Sequence, residues 1–394
     1  MARYLVQAPE GHLAFVPPPL PPYLELTRGL VADLSAADRS LGVLSGIGTR
    51  LPDPYLLITP FLRREAVLSS RIEGTQASVS DVLVFEAARQ PRPTTASPAR
   101  EASGQPPAAR RTLPAGSEDV LEVANYVQAL EFGISAARPL PIGLRLIKEL
   151  HRILMTGVRG QEAAPGAFRT EQNWIGPAGI ALADAVYVPP PVPQMHDALE
   201  AFGEHLHEPS DLPPLIRLAT IHYQFEAIHP FLDGNGRIGR LLVSLLLREW
   251  GLMPQPLLYL SAFFERHRRE YYAHLLAVSR SGAWESWLRF FLSGVAEQAQ
   301  DAVDRSTRLL ELRDDFHRRL QSARASSLAV KLADDLFSRP AISVGDAARS
   351  LGVTRRAAQM NVDKLSQAGI LAEVTGGRRN RVWLAREIVQ LLEA

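Results

Sequence analysis

The chain has 394 residues, 43 basic against 42 acidic side chains and no cysteine, so charge near neutrality offers no whole-molecule field for nucleic acid or an anionic membrane, and thiol chemistry and disulfides are excluded. Hydrophobic residues make up 46 %, enough for a sizeable core, and the length predicts two to three domains. No apolar run reaches the roughly 18 residues of a spanning helix, and Met1-Ala-Arg-Tyr-Leu-Val6 carries no long apolar signal region, so a soluble, cytoplasmic protein without a membrane partner is expected.

Residues 1–22 end in the run Val16-Pro-Pro-Pro-Leu-Pro-Pro22, which predicts an extended arm laid on a surface. Tyr23 to Gly48 alternates apolar patches with polar breaks and predicts two short helices. Thr59-Pro60 has the form of a helix start, a capping residue followed by proline at the first helical position. Phe61, Leu62, Val67, Leu68 and Ile72 then supply an apolar stripe, and Gly74 a stop. Ser69 and Glu73 share one face of that helix; taken alone they read as a solvated pair. Residues 90–116 are rich in Pro, Ala, Ser, Thr and Arg without periodicity, and predict a flexible surface loop or insertion.

Ser117-Glu-Asp119 predicts the start of a helix reaching about Ala136, and Leu144 to Met155 predicts another. His151 on the latter reads as a core or surface histidine rather than a catalytic one. Pro165 to Gly176 breaks the helical rhythm and Tyr187 to Pro193 follows. Segments around Asn173–Ile175 and Ala185–Val188 can pair as a hairpin; the plain alternative is a connecting loop. Gln194 to Leu206 predicts a further helix.

Leu215 to Ile228 and Ile238 to Trp250 are apolar at helical spacing, and between them runs His229-Pro-Phe-Leu-Asp-Gly-Asn-Gly-Arg-Ile-Gly-Arg240. Pro230 ends the first helix, and Gly234 and Gly236 allow a turn whose N–H groups converge beside the N-terminus of the second. Such a terminus attracts anions. Arg237 and Arg240 oppose the helix dipole there, at a cost of a few tenths to about 1 kcal/mol each, unless a multiply charged anion sits between them. Asp233 is a carboxylate in an anion-binding loop; a Mg²⁺ shared with a phosphate removes that conflict. His229 at the loop entrance has the side-chain chemistry of a general base.

Leu257 to Ser279 carries Tyr271 and Tyr272, core aromatics or walls of an adenine pocket, with core the expectation for at least one. Trp284 to Leu320 predicts one long helix or two in series. Together these patterns predict a mainly α protein with one small β-hairpin. Residues 326–394 change style. Leu328–Phe337, Val344–Leu351 and Thr354–Ala368 predict helices, and Ile370–Thr375, the turn Gly376-Gly377-Arg-Arg-Asn-Arg381 and Val382–Leu384 predict a β-ribbon, which together resemble a winged helix. Arg355, Arg356 and Lys364 fall on its recognition helix and Arg378, Arg379 and Arg381 on its wing, so DNA is one expected partner and a contact or dimerisation role the other.

The stretch from His229 to Arg240 matches the Fic family motif His-x-Phe-x-Asp/Glu-Gly-Asn-Gly-Arg-x-x-Arg at every specified position, and the chain resembles that family. The resemblance implies a protein adenylyltransferase, moving AMP from ATP to a Ser, Thr or Tyr hydroxyl of a target or of itself and releasing pyrophosphate. It implies that His229 deprotonates the hydroxyl and that Asp233 holds Mg²⁺. Gly234, Asn235, Gly236, Arg237 and Arg240 would contact the phosphates. The related Doc kinases have lysine where this chain has Gly236, so glycine here favours AMP transfer.

Ser69-Ser-Arg-Ile-Glu73-Gly74 is similar to the family's inhibitory helix, Ser/Thr-x-x-x-Glu-Gly/Asn, which implies that Glu73 pairs with Arg240 and keeps the triphosphate out or misaligned. A flap over about 168–190 would hold the target as an added strand. The implied organisation is an N-terminal region over 1–116, with the inhibitory helix at about 60–74 and the flexible loop at about 90–116. A Fic core over 117–322 and a winged helix over 326–394 follow. A homodimer is an expected assembly. Two other readings stay open: a de-AMPylase in which Glu73 positions water, and a nucleotide-sensing DNA-binding regulator.

Overall fold

The computed structural model describes residues 4–8, 11–50, 55–89, 117–158, 164–177, 179–377 and 380–393. The expected flexible loop at 90–116 and the wing residues Arg378 and Arg379 lie outside them.

Two strands, β1 (Leu5–Gln7) and β2 (Leu13–Phe15), pair antiparallel with Leu5 opposite Phe15. The proline run then extends over the core, where the Pro18 carbonyl accepts Gln224 Nε2 at 3.0 Å. The next element corrects the expectation of two short helices: α1 (Arg28–Arg50) is continuous. Leu30, Ala37, Leu41 and Leu44 are buried along it at helical spacing. Their burial carries the helix through Gly42 and Gly46, each costing about 1 kcal/mol relative to alanine.

Helix α2 (Tyr55–Ile72) also starts earlier than Thr59-Pro60 suggests, with Pro60 inside it. An interior proline costs about 3 kcal/mol. Leu57, Ile58, Phe61 and Leu62, all buried on either side of it, offset that cost. Helices α3 (Val79–Arg89), α4 (Ser117–Ile134) and α5 (Leu144–Met155) follow. The expected hairpin after them is reduced to a single antiparallel bridge between Ile175 and Tyr187. Prolines 189, 190, 191 and 193 deny the second segment the N–H donors of a longer ladder.

The centre of the molecule is α6 (Val192–His207), α7 (Pro214–Ile228) and α8 (Asn235–Glu249). Helix α7 is buried nearly all round, its polar Thr220, His222 and Gln224 included. Around this centre lie α9 (Ser261–Arg266), α10 (Arg268–Ser281) and α11 (Trp284–Ser322), a single long helix that packs along α1. Tyr271 is wholly buried and Tyr272 is 41 % exposed, so the first is the core aromatic.

The C-terminal part runs α12 (Ser327–Ser338), β3 (Ala341–Ser343), α13 (Val344–Leu351), α14 (Arg355–Gln367), β4 (Ala372–Glu373), β5 (Val382–Leu384) and α15 (Arg386–Glu393). Its sheet has the order β3-β5-β4, all antiparallel. Ser343 and Asp346 form a capping box on α13, and Thr354 caps α14 by accepting the Ala357 N–H. Helices α12 and α15 pack against α2, and α15 also against α3 and α11. Arg319 and Glu387 tie α11 to α15 through two hydrogen bonds, at 2.7 and 2.9 Å. Among the described residues no helix is long and apolar enough to cross a membrane.

Candidate functional site

Helix α7 ends at His229, which takes the left-handed conformation at φ 50°. A histidine rarely sits there, and the strain, about 1 kcal/mol or more, is held by its surroundings. Arg169 from the flap is buried and clamps the turn: its Nε donates to the His229 carbonyl at 3.1 Å, and its main-chain N–H to Pro230 O at 2.9 Å. Its Nη2 reaches Pro190 on the flap's far arm. Asn173 Nδ2 adds a bond to Phe231 O at 2.9 Å, and Tyr187 Oη one to Ala227 O at 2.7 Å. The flap is thus bolted to both sides of the His229 turn.

Within the loop, Asn235 accepts the Phe231 N–H through Oδ1 at 2.8 Å and donates Nδ2 to the Phe231 carbonyl at 2.7 Å. Its side-chain amide is therefore spent on closing the loop, and what it offers a ligand is main chain. Gly234 follows at φ 82°, and its carbonyl accepts the first bond of α8, from Ile238 N at 3.0 Å. His151 lies under the loop, stacked on Phe231 at 3.7 Å between ring centroids. It accepts the Gly166 N–H on Nδ1 at 2.9 Å and donates Nε2–H to Asp233 O at 3.0 Å. That pattern requires a neutral ring, and burial pulls its pKa down to about 4. His151 is thus a core histidine with a structural task.

The structure brings the anticipated residues into one place. Arg240 is 3 % exposed; its Nε donates to Ser69 Oγ at 2.9 Å, and its Nη2 to Ser69 O at 3.0 Å and to Glu73 Oε1 at 2.6 Å. A Cβ at Gly236 would collide with Glu73 Oε1 and lie 2.9 Å from Arg240 Nη1, so the glutamate occupies the space directly over the glycine. Burial alone would raise the Glu73 carboxyl, but Arg240, by charge and hydrogen bond, and Arg237 together hold it below the ordinary range. Burial alone would likewise lower Arg240, and Glu73 leads the groups that raise it instead.

Arg237, also 3 % exposed, turns toward Asp233 Oδ1 at 3.3 Å and Glu122 Oε2 of α4 at 3.5 Å. Asp233 uses that same Oδ1 to accept the Gly234 N–H at 2.5 Å, and its side chain is 53 % exposed. One outward carboxylate beside a helix N-terminus fits a Mg²⁺ carried in with phosphates, which needs only one or two protein ligands. It does not fit a preformed metal cage, and among the described residues no group of three or more such ligands gathers anywhere.

His229 Nδ1–H donates to the Glu226 carbonyl at 3.3 Å, which leaves Nε2 as the lone-pair nitrogen. Burial first, and Arg169 after it, pull its pKa down to about 4, so the ring is an unprotonated base at neutral pH.

Several residues of the site carry no motif signal. Glu122, Asn173 and Glu226 look like any polar residue on a helix or loop, and only their placement beside Arg237, Phe231 and Arg240 marks them. Glu65 is similar: it lies one turn before Ser69, accepts Ser261 Oγ at 2.6 Å and Tyr126 Oη at 3.2 Å, and burial raises its pKa to about 7. Arg169 had a faint signal in Gly166-Ala-Phe-Arg169.

Comparison with known proteins bears on the same residues. Residues 31–135 match the family model described as Fic/DOC family N-terminal, and residues 141–247 the one described as Fic/DOC family. The Protein adenylyltransferase Fic of Drosophila willistoni is 31 % identical over 158 residues, 40 % of this chain and 28 % of that protein. Its counterpart in Drosophila virilis is 32 % identical over 158 residues, 40 % of this chain and 29 % of that one. The chain spans less than a third of the length of these curated relatives. A crystal structure of a Fic family protein from Desulfovibrio desulfuricans G20 superposes with a TM-score of 0.55 at 18 % identity. The match covers 93 % of this chain and 98 % of that one, a likeness of fold.

Proposed function

The chain belongs to the Fic/DOC family, and we propose that it is an autoinhibited protein adenylyltransferase. The observation that carries this reading is the Glu73–Arg240 contact at 2.6 Å over Gly236, beside a neutral His229. With Glu73 in place, the ground for a triphosphate is taken by a carboxylate. With Glu73 withdrawn, Arg240 and the α8 N-terminus face an open cradle.

His229 Nε2 then removes the proton of a Ser, Thr or Tyr hydroxyl on a target held along the flap. The hydroxyl oxygen attacks the α-phosphorus of ATP, the bond to the bridging oxygen breaks, and pyrophosphate leaves. Arg237, Arg240 and the main-chain N–H groups at Gly234, Asn235 and Gly236 stabilise the charge gathering on the phosphates. Mg²⁺ held at Asp233 would add Lewis-acid neutralisation of the phosphate oxygens. We assign 117–322 to the catalytic unit, 326–394 to a winged-helix unit, and the whole to the cytoplasm.

Incubation of the full chain with labelled ATP and Mg²⁺ tests the proposal. Wild type is expected to label protein weakly, Glu73→Gly strongly, and Glu73→Gly with His229→Ala not at all. Equal labelling of wild type and Glu73→Gly removes the autoinhibition.

A second reading draws on Glu73 itself. Its Oε2 takes no hydrogen bond among the described residues and its side chain is 34 % exposed, so it could align a water for removing AMP from a modified protein. Release of AMP from a pre-labelled target, lost on Glu73→Gly, distinguishes that direction. Separately, Arg355, Arg356 and Lys364 all face solvent on α14, which suits DNA phosphates, with a homodimer needed to span two half-sites. A DNA titration against salt reads that partner directly.

A further inference from the structure

Two glycines of α8 each lie under a carboxyl group. Glu73 rests over Gly236. Over Gly239 rests Glu226 of α7, whose Oε1 a Cβ there would collide with. Arg240 follows directly after Gly239, and both carboxyls act electrostatically on its guanidinium. Glu73 is hydrogen-bonded to it; Glu226 is not, and its buried Oε1 has no hydrogen-bond partner among the described residues. A buried acceptor left unsatisfied asks for a partner that arrives in another state of the molecule.

The surroundings narrow that partner. The charged and titratable groups near the Glu226 carboxyl are Glu73 beyond α2, Arg240 on α8, and Tyr271 and Tyr272 on α10. His222 and His229 lie one turn away on its own helix. Of these, Arg240 alone carries a full positive charge at neutral pH.

We propose that Glu226 is a positioning residue for nucleotide binding, a second seat that holds the Arg240 guanidinium once Glu73 is withdrawn and releases it to the polyphosphate. The inference rests on the adenylyltransferase reading above. At rest, Glu73 is the ionised partner. Burial, together with repulsion from Glu73, keeps a proton on Glu226 up to about pH 7. Withdrawal of Glu73 ends the repulsion and leaves Arg240 without a counter-ion, so Glu226 gives up its proton and takes the guanidinium. An arriving triphosphate claims Arg240 in turn, and Glu226 recovers a proton from solvent. Gly239 is bare because any side chain would push the carboxyl off this position.

Proton uptake on nucleotide binding is therefore the signature. Full-length Glu73→Gly is titrated calorimetrically with ATP and Mg²⁺ across pH 6.5–8.5, in two buffers of different ionisation enthalpy. The expected result is uptake of up to about one proton, largest near pH 7 and fading as pH rises beyond it, with Kd rising up to about tenfold per pH unit within that window. Glu73→Gly with Glu226→Gln should lose that uptake and show a flat Kd. The γ-phosphate's own titration is common to both proteins and cancels in their difference. Glu73→Gly with Gly239→Ala displaces the carboxyl without deleting it and should behave like the Gln variant, which covers the case in which Glu226→Gln folds poorly. Rescue by Glu226→Asp supports the assignment further. Equal proton uptake in all variants overturns the proposal while leaving the adenylyltransferase reading intact. Failure of Glu73→Gly to bind ATP at all overturns both.

Discussion

The molecule contains two helix–turn–helix units, and their arginines live in opposite conditions. Helices α7 and α8 meet at a turn with His229 at φ 50° and Gly234 at φ 82°; α13 and α14 meet at a turn with Gly352 at φ 67°. Both second helices open with basic residues. Arg237 and Arg240 are each 3 % exposed and carboxylate-bound, because α2, α4 and α5 pack against α8. Arg355 and Arg356 are exposed, because nothing among the described residues covers that face of α14. The local motif does not decide what an arginine does. What packs over it does: these two buried guanidiniums are already held by carboxylates, so binding an anion means exchanging one carboxylate for another group. An exposed guanidinium exchanges only solvent and salt ions.

The largest test of this contrast is catalytic. In the Glu73→Gly background, His229→Ala should lower AMP transfer by about 10²–10⁴-fold while ATP binding persists, read by single-turnover labelling beside calorimetry. Paired Arg355→Ala and Arg356→Ala should leave transfer unchanged. Loss of transfer on the α14 side would erase the distinction between the two units.

Stability comes next. Arg240→Ala strands the Glu73 carboxylate without its counter-ion and should cost about 3 kcal/mol in urea unfolding. Arg355→Ala should stay within about 0.5 kcal/mol of wild type.

Acid should sharpen the contrast further. His151, His222 and His229 have folded-state pKa values pulled down by burial to about 4, 3 and 4. All three are neutral in the fold, and the unfolded chain binds their protons first. Their contribution to stability is fully present above about pH 6.5 and is lost as pH falls from there toward 4. Unfolding free energy measured against pH should fall across that window, and a flat profile would contradict the neutral assignments. The smallest effect is expected on α14: if DNA binds there, Arg356→Ala weakens it about equally for every sequence and lowers the salt slope by roughly one.

Much of the fold was legible in the residues. The period of the apolar positions placed α5 at its observed bounds and α6, α7 and α8 to within a few residues. Proline and glycine chemistry located the turn between the last two. Failures came where tertiary burial overrode a local rule. Pro60 does not open α2, because Leu57 and Ile58 ahead of it are buried and extend the helix backward. Gly42 and Gly46 do not split α1, because its apolar face runs unbroken along α11. The flap is held chiefly by Arg169, Asn173 and Tyr187 bonding to main chain rather than by a hairpin ladder, and side-chain-to-carbonyl bonds leave no periodic trace.

By itself, then, the sequence determined the helical core and the loop between His229 and Arg240 with its convergent N–H groups; Ser69 and Glu73 stood out only through their resemblance to the family's inhibitory helix. The core and the loop follow from short-range rules: helical period and positive-φ glycine. Only the tertiary structure set the Glu73–Arg240 contact at 2.6 Å over Gly236, and decided that Asn235 spends its amide on Phe231, that His151 is locked neutral beneath the loop, and that Glu226 lies unpaired over Gly239. Those outcomes turn on desolvation and on distances between groups far apart in the chain, and both quantities come into being only when the helices pack.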